Sequence, residues 1–173
     1  ILLDGQGGAY FTDPGQSDYF KRIGCVYYVK YDEGEPVLQL IQDGIAYPNG
    51  ITLSPDGQFI YVAEFNTNSL VCIPSAAYTL GRATPYVFAR MDGGHGPDGI
   101  TVDADGNIYV AHLEAKEVLV FDKNGFQIER IPAPEDADIF VDNLCIHNGY
   151  LYICEFGSSN IYRIAVTAET GEK

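Results

Sequence analysis

The fold is decided by a stretch in the middle of the chain that reads PNGITLSPDGQFIYVAE, residues 48–64. A short apolar segment, ITL at 51–53, is followed by the turn formers PDG at 55–57 and by a second apolar segment, IYVA at 60–63. Asp-Gly pairs supply the positive-φ backbone that tight hairpins need. The stretch therefore predicts two antiparallel β-strands joined by a turn.

The same strand–turn–strand signature occurs four times. The aligned second strands are AYFTD at 9–13, IYVAE at 60–64, IYVAH at 108–112 and LYICE at 151–155. Their tyrosines are 51, 48 and 43 positions apart. We predict third strands at 23–31, 69–74, 117–122 and 160–166, and outer strands at 37–42, 85–90 and 126–131.

Four-stranded units at a nearly fixed period are typical of a β-propeller, in which sheets called blades surround a central channel. A β-sandwich also has many short strands but lacks this repeat. We therefore predict an all-β chain with a β-propeller fold of about four four-stranded blades. The predicted blades are approximately 1–46, 47–93, 94–138 and 139–166, followed by a tail at 167–173. The first unit lacks the approach loop of the next two, so we expect the C-terminal part of a larger ring.

Composition excludes two classes of partner. The chain has 173 residues, with 10 basic and 24 acidic side chains and a pI near 4.3. Binding to nucleic acid needs clustered Lys and Arg, and a membrane helix needs about 18 consecutive apolar residues. Neither is present in the sequence, so we expect no nucleic-acid partner and no membrane partner.

Four cysteines lie in apolar, strand-like runs without metal-knuckle spacing: Cys25, Cys72, Cys145 and Cys154. A reduced thiol in such a run behaves as a small apolar side chain. The sequence therefore predicts buried free thiols and, weakly, a cytoplasmic location.

Three oxygen-bearing side chains open the innermost strands of successive units. Asn49, Asp98 and Asp142 occupy this position in the second, third and fourth units. Innermost strands line the channel, so these side chains are expected to converge at its mouth and to suit a hard cation or a substrate. The alternative is that PNG and PDG are simply turn formers.

Other polar candidates lie farther from the axis. Glu64 and His112 end second strands and either cap the next turn by accepting backbone hydrogen bonds or orient a central site from behind. His95, in the glycine-rich loop GGHG at 93–96, is a candidate for the channel mouth.

Taken together, PNGITLSPDG (48–57), GPDGI (96–100) and DGNIYVA (105–111) resemble the superfamily of senescence marker protein (regucalcin), gluconolactonase and luciferin-regenerating enzyme. Two further segments, GHGPD (94–98) and VLVFDK (118–123), resemble its drug-responsive lactonase branch in particular. The resemblance covers almost the whole chain and is most specific in the second and third units.

The resemblance implies a six-bladed ring that holds one divalent cation, Ca²⁺ first and Zn²⁺, Mg²⁺ or Mn²⁺ as alternatives. By motif it makes Asn49 and Asp98 metal ligands, and Asp98 also the nucleophile or general base. Two further ligands, an Asn and a Glu, would precede Ile1. A second, structural Ca²⁺ of some relatives is put in doubt by Thr101, which stands where they have Asp. The resemblance assigns nothing to Asp142.

The leading hypothesis is therefore a metal-dependent lactonase that hydrolyses a small-molecule lactone or related ester. One rival is a non-catalytic propeller that binds a partner across one face of the ring. Another is an incomplete ring, inactive alone, that is completed by a missing N-terminal segment or by self-association.

Overall fold

The computed structural model describes residues 1–166 as β-strands joined by turns, with one 3-10 turn at Phe65–Thr67. The strands are β1 Leu2–Leu3, β2 Gly8–Asp13, β3 Gly24–Asp32, β4 Glu35–Ile45, β5 Pro48–Leu53, β6 Phe59–Glu64, β7 Ser69–Pro74, β8 Tyr86–Arg90, β9 Gly96–Val102, β10 Ile108–Leu113, β11 Glu117–Phe121, β12 Gln127–Pro132, β13 Val141–His147, β14 Tyr150–Glu155 and β15 Asn160–Ala165. No helix in this part of the chain could cross a membrane. The predicted tail, 167–173, lies outside the described residues.

The strands form four antiparallel sheets in chain order. Sheet A contains β1–β4, sheet B β5–β8, sheet C β9–β12 and sheet D β13–β15, and in each sheet consecutive strands are neighbours. The all-β prediction is confirmed, as are the four third strands and the weakly predicted outer strand, which is β12. Sheet D has three strands within the described residues, in line with the absence of a clear outer strand in the last unit.

Apolar side chains fill three layers between successive sheets. Ile60 and Val62 of β6 pack toward sheet A, whereas Tyr61 and Ala63 pack toward sheet C. Successive side chains of a strand point to opposite faces, so a strand that is covered on both faces needs apolar residues at every position. The uninterrupted IYVA segments of β6 and β10 are therefore the sequence signature of the two inner sheets.

The innermost strands lie side by side: β5 is next to β9, and β9 is next to β13. Glycines permit this approach. A Cβ on Gly50 would collide with the Asp98 carbonyl oxygen and lie 2.8 Å from the Ile100 nitrogen. A Cβ on Gly99 would lie 2.7 Å from the Asp142 carbonyl oxygen. The close approach brings the first residues of the three strands together.

The cysteine prediction is only partly right. All four thiols are free, but only Cys72, which lies between sheets B and C, is buried. Cys25 and Cys154 are half-buried and Cys145 is exposed. These three side chains alternate with buried neighbours and therefore project from the outer faces of sheets A and D, which no other described sheet covers.

Candidate functional site

Each of the three candidate ligands sits in a β-bulge at the start of an innermost strand. Between the pairs Pro48–Glu64 and Ile51–Val62, two residues of β5 oppose one residue of β6, and Asn49 is the first of the two. A bulge bends the strand and re-aims a side chain that would otherwise lie on one face of the sheet.

The bulge recurs in the next two sheets. In sheet C the register shifts between Val110 and His112, which places Asp98 at the extra position. In sheet D the shift falls between Val141 and Asn143, and the extra residue is Asp142. The structure thus gives equivalent backbone settings to the three residues that the repeat predicts.

The three side chains meet around Asp98. Burial, and next the negative charge of Asp142, raise the pKa of Asp98 to about 7, and the neighbouring Asn49 amide partly offsets that rise. Two acidic groups therefore lie close together at the start of the innermost strands.

An open cavity of about 360 Å³ runs along the innermost strands and includes Asn49 and Asp98. Its other lining residues are Ile1, Leu2, Thr12, Gly50, Ile51, Thr52, Gly99, Ile100, Thr101, Asn143 and Leu144. No lysine or arginine is among these lining residues. Thr12, from sheet A, donates a hydrogen bond from Oγ1 to the Asn49 carbonyl oxygen at 2.7 Å and so fixes the bulge from the neighbouring sheet.

The donor set fits a hard divalent cation. Carboxylate and amide oxygens are the ligands that Ca²⁺ and Mg²⁺ prefer, and a cation would counter the burial and the Asp142 charge that together raise the pKa of Asp98. Within residues 1–166, no three His, Cys, Asp or Glu side chains cluster closely enough to form a metal site by themselves. Asn49, Asp98 and Asp142 would therefore supply two carboxylates and one amide, and the remaining ligands would have to come from elsewhere.

Three aromatic side chains form a row across loops near the starts of β5 and β9, and none of them is among the residues that line the cavity. The Tyr47 and Phe65 rings are 5.7 Å apart, and the Phe65 and His95 rings 5.0 Å apart. Tyr47 adopts the left-handed backbone conformation, φ 60°, and its N–H donates to Ser17 Oγ at 2.8 Å. His95 is half-exposed, with Nδ1 3.4 Å from Glu114 Oε1.

Glu64 and its counterpart Glu155 accept hydrogen bonds from backbone amides and do not line the cavity. Glu64 accepts hydrogen bonds from the Ala46 amide at 2.8 Å and from Thr67 Oγ1 at 2.6 Å. Glu155 accepts one from the Ser158 amide at 3.0 Å. Glu64 thus holds the loop before β5 through a backbone amide and the turn after β6 through a hydroxyl group, whereas Glu155 holds the turn after β14.

His112 is fully buried and also does not line the cavity. Its Nε2 lies 3.0 Å from Asn68 Oδ1, and its Nδ1 lies 3.8 Å from Glu117 Oε1 with no hydrogen-bond partner. Burial, assisted by the positive charge of Arg130, lowers the pKa of His112, although the Glu117 carboxylate opposes this. His112 is therefore neutral at pH 7.

Sequence reasoning missed Thr12, Tyr47, Phe65 and Asn68. Each makes its contact across a boundary between sheets or from a loop, and no local pattern indicates such contacts. One property of Asn68 does follow the repeat, namely its backbone conformation. Asn68 and Lys116 occupy equivalent places after β6 and β10, and both have left-handed backbone, with φ of 50° and 56°.

Comparison with known proteins agrees with this architecture. The curated lactonase drp35 of Staphylococcus epidermidis (strain ATCC 12228 / FDA PCI 1200) is 39% identical over 144 residues, which are 80% of this chain and 42% of that protein. This chain thus spans about two-fifths of the length of the relative.

Two solved structures share the fold. A gluconolactonase from Xanthomonas campestris is 26% identical with a TM-score of 0.70, covering 90% of this chain and 52% of its own. Regucalcin, a calcium-binding protein from Agrobacterium tumefaciens strain C58, is 22% identical with a TM-score of 0.74, covering 95% of this chain and 60% of its own. Residues 1–153 match the family described as "SMP-30/Gluconolactonase/LRE-like region". The chain therefore belongs to the SMP-30/gluconolactonase/LRE-like family.

Proposed function

We propose that this chain carries the metal-binding and catalytic part of a lactonase-type hydrolase. The observation that carries the proposal is the meeting of Asn49 and Asp98 in a cavity lined by no lysine or arginine, with the charge of Asp142 acting on Asp98. Strongly shifted carboxyl groups in a cavity are typical of functional sites. Similarity to curated lactonases supports the reaction class, and a small-molecule lactone is the corresponding substrate.

Asn49 and Asp98 would hold one divalent cation, with Asp142 contributing charge beside them. Ca²⁺ is the first candidate, because the set is all oxygen and because a fold relative is a calcium-binding protein; Mg²⁺, Mn²⁺ and Zn²⁺ are the alternatives. A bound cation would act as a Lewis acid that polarises the lactone carbonyl and stabilises the oxyanion.

Asp98 would act as the nucleophile or as the general base. Burial and Asp142 raise the pKa of Asp98 to about 7 in the absence of a cation. A bound cation would favour the ionised carboxylate, which is the form that attacks or accepts a proton. Asn49 would orient the carboxyl group from beside it, and His95 would contact substrate from the rim. Glu64 and His112 would act from behind by holding loops in place.

We also propose that the sheets are blades of a six-bladed propeller, with blades at about 1–46, 47–93, 94–138 and 139–166. The outer face of sheet A supports this, because it exposes large apolar side chains: Leu3, Tyr31, Leu38 and Leu40. Exposed apolar area of this kind is typical of a covered surface. Further blades or a second copy would cover it. The free thiols suggest a reducing, cytoplasmic compartment.

The test combines turnover and metal binding on the purified chain. Hydrolysis of a sugar lactone and an aromatic lactone would be followed by proton release, with Ca²⁺ or with a chelator, and native mass spectrometry would give the bound metal and the assembly state. Asp98→Asn should lower kcat about 100-fold or more, as expected for loss of a general base, and should weaken Ca²⁺ binding.

The matched control is Asp105→Asn, which makes the same charge change in a hairpin turn of the same sheet, at the opposite end of its strands. It should leave both activity and Ca²⁺ binding at the parent level. Full activity in Asp98→Asn would contradict the assignment of this residue. A metal-free parent that hydrolyses neither lactone would favour the binding module or the incomplete ring.

A further inference from the structure

In sheet B, the residue that ends the second strand holds the loop that leads into the innermost strand of the same sheet. Glu64 accepts a hydrogen bond from the Ala46 amide at 2.8 Å, three residues before Asn49. The strand-end side chain and the candidate ligand of sheet B are thus connected through a short stretch of backbone. In sheet D, Glu155 accepts a hydrogen bond from the Ser158 amide at 3.0 Å, in the turn after its own strand.

Sheet C departs from this pattern at two positions together. Glu64 and Glu155 are each followed three residues later by a hydroxyl residue that donates to them, Thr67 and Ser158. In sheet C the strand-end residue is His112, and the residue three positions later is Ala115, which has no hydroxyl group. His112 therefore lacks the acceptor oxygens and the local partner of its counterparts.

His112 instead makes its contact with the preceding sheet. Its Nε2 is 3.0 Å from Asn68 Oδ1, and Asn68 Nδ2 donates to the Gly93 carbonyl oxygen at 2.7 Å. The bond to Gly93 fixes which amide atom faces His112, so His112 Nε2 must carry the proton and donate it. The remaining nitrogen, Nδ1, then carries no proton and has no hydrogen-bond partner.

The His112 imidazole also packs directly against the loop that precedes β9. A Cβ on Gly94 would lie 2.6 Å from His112 Nε2, so the loop backbone rests directly on the ring. Asn68 holds the start of the loop as well, because its carbonyl oxygen accepts a hydrogen bond from the Met91 amide at 2.9 Å. The loop continues through His95 to Asp98.

We infer that His112 and Asn68 are positioning residues: the chain from His112 Nε2 through Asn68 to the Gly93 carbonyl sets the loop 93–96, and with it the placement of His95 and Asp98. Neither side chain lines the cavity, so both act through the loop. The kinetic consequence rests on the proposed hydrolase function, whereas the effect on the loop does not.

Asn68→Gly is the central variant. Glycine adopts the left-handed conformation of position 68 without strain, so this change removes the side-chain bridge and leaves the backbone conformation accessible. Lys116→Gly is the matched control, because Lys116 occupies the equivalent left-handed position after β10 and its Nζ contacts only the exposed Glu135 carbonyl. His112→Gln is the conservative variant, since its amide can donate from nearly the position of Nε2, and His112→Leu removes the donor.

Hydrogen–deuterium exchange of the chain reads out the loop directly. In Asn68→Gly and His112→Leu, we expect the amides of 92–96 to exchange about tenfold faster, which corresponds to the loss of one or two hydrogen bonds. Exchange in β10 should stay unchanged, as should the loop in Lys116→Gly, and His112→Gln should retain most of the protection. Parent-like exchange of 92–96 in Asn68→Gly would overturn the inference.

Kinetics and metal binding test the link to the site. Asn68→Gly should lower kcat about tenfold with a smaller change in KM, because misplacement of reacting groups reduces turnover more than substrate binding. It should also weaken Ca²⁺ binding by calorimetry, a readout that needs no substrate. A loosened loop with unchanged kcat and Ca²⁺ affinity would overturn the positioning role. An inactive parent would refute the proposed function instead, so the two can fail separately.

Discussion

Replacing Gly50 with alanine tests whether the close approach of the innermost strands builds the site. The added Cβ would collide with the Asp98 carbonyl oxygen and would lie 2.8 Å from the Ile100 nitrogen and 3.0 Å from the Gly99 Cα. All three atoms belong to the backbone, so no side-chain rotation can relieve the contact. The strands β5 and β9 must therefore move apart by about 1 Å to restore normal van der Waals separation.

This geometry gives the expected loss in the free energy of unfolding. Overpacking in a well-packed interior lowers the free energy of unfolding by about 1–3 kcal/mol, and each kcal/mol lowers Tm by about 2–4 °C in a chain of this size. The displaced strand also carries Asn49 away from Asp98. A functional site tolerates misplacement of about 0.5 Å, so a separation of about 1 Å should weaken Ca²⁺ binding about tenfold or more.

The control is Gly149→Ala. Gly149 lies in the β13–β14 hairpin turn with φ 74° and no atom within 4 Å of an added Cβ. This change costs only the left-handed strain of about 1–2 kcal/mol and should leave Ca²⁺ binding at the parent level. Urea unfolding followed by circular dichroism and Ca²⁺ calorimetry check both variants. Unchanged stability of Gly50→Ala would refute the steric argument, and lost stability with unchanged Ca²⁺ affinity would refute its link to the site.

Two further predictions concern the layers between the sheets. Leu119→Ala, which removes a fully buried side chain from the layer between sheets B and C, should cost about 2–5 kcal/mol in urea unfolding; a cost below about 1 kcal/mol would contradict this packing. Burial lowers the pKa of His112, which faces Glu117 and Arg130. Below pH 6.5, the ordinary pKa of histidine, the unfolded chain therefore binds a proton at His112 that the folded chain does not bind. The parent should therefore lose stability more steeply than His112→Gln as pH falls below 6.5. The difference between the two slopes should be at most about 1.4 kcal/mol per pH unit. Equal slopes in urea titrations at several pH values would contradict this.

The fold could be predicted largely from the repeat, because each strand and turn recurs with the same local chemistry. Burial of individual side chains could not. Cys72 and Cys154 both lie in apolar strands, yet Cys72 is buried and Cys154 is only half-buried. The difference depends on whether another sheet covers that face, which is a property of the neighbours and not of the strand.

The candidate ligands could be predicted because equivalent places in a repeat share one backbone setting. Asn49, Asp98 and Asp142 were chosen in this way, and their roles remain predictions, whereas the bulges that hold them recur at the same place. Asn68 was out of reach, because its partners His112 and Gly93 lie 44 and 25 residues away in the chain. Hydrogen bonds between sheets leave no periodic trace in a single sequence.

The repeat also explains how one backbone frame can carry different chemistry from sheet to sheet. The residue before each candidate ligand pairs with the strand-end residue: Pro48 pairs with Glu64, Pro97 with His112 and Val141 with Glu155. After the ligand, in sheets B and C, comes a glycine that presses against the next innermost strand. The backbone is thus fixed on both sides of the bulged residue, and the side chain of that residue does not help to hold it in place. The ligand can therefore change between Asn and Asp without rebuilding the sheet, whereas a change of the glycine or of the strand-end residue must be compensated elsewhere, as the pair of His112 and Asn68 does.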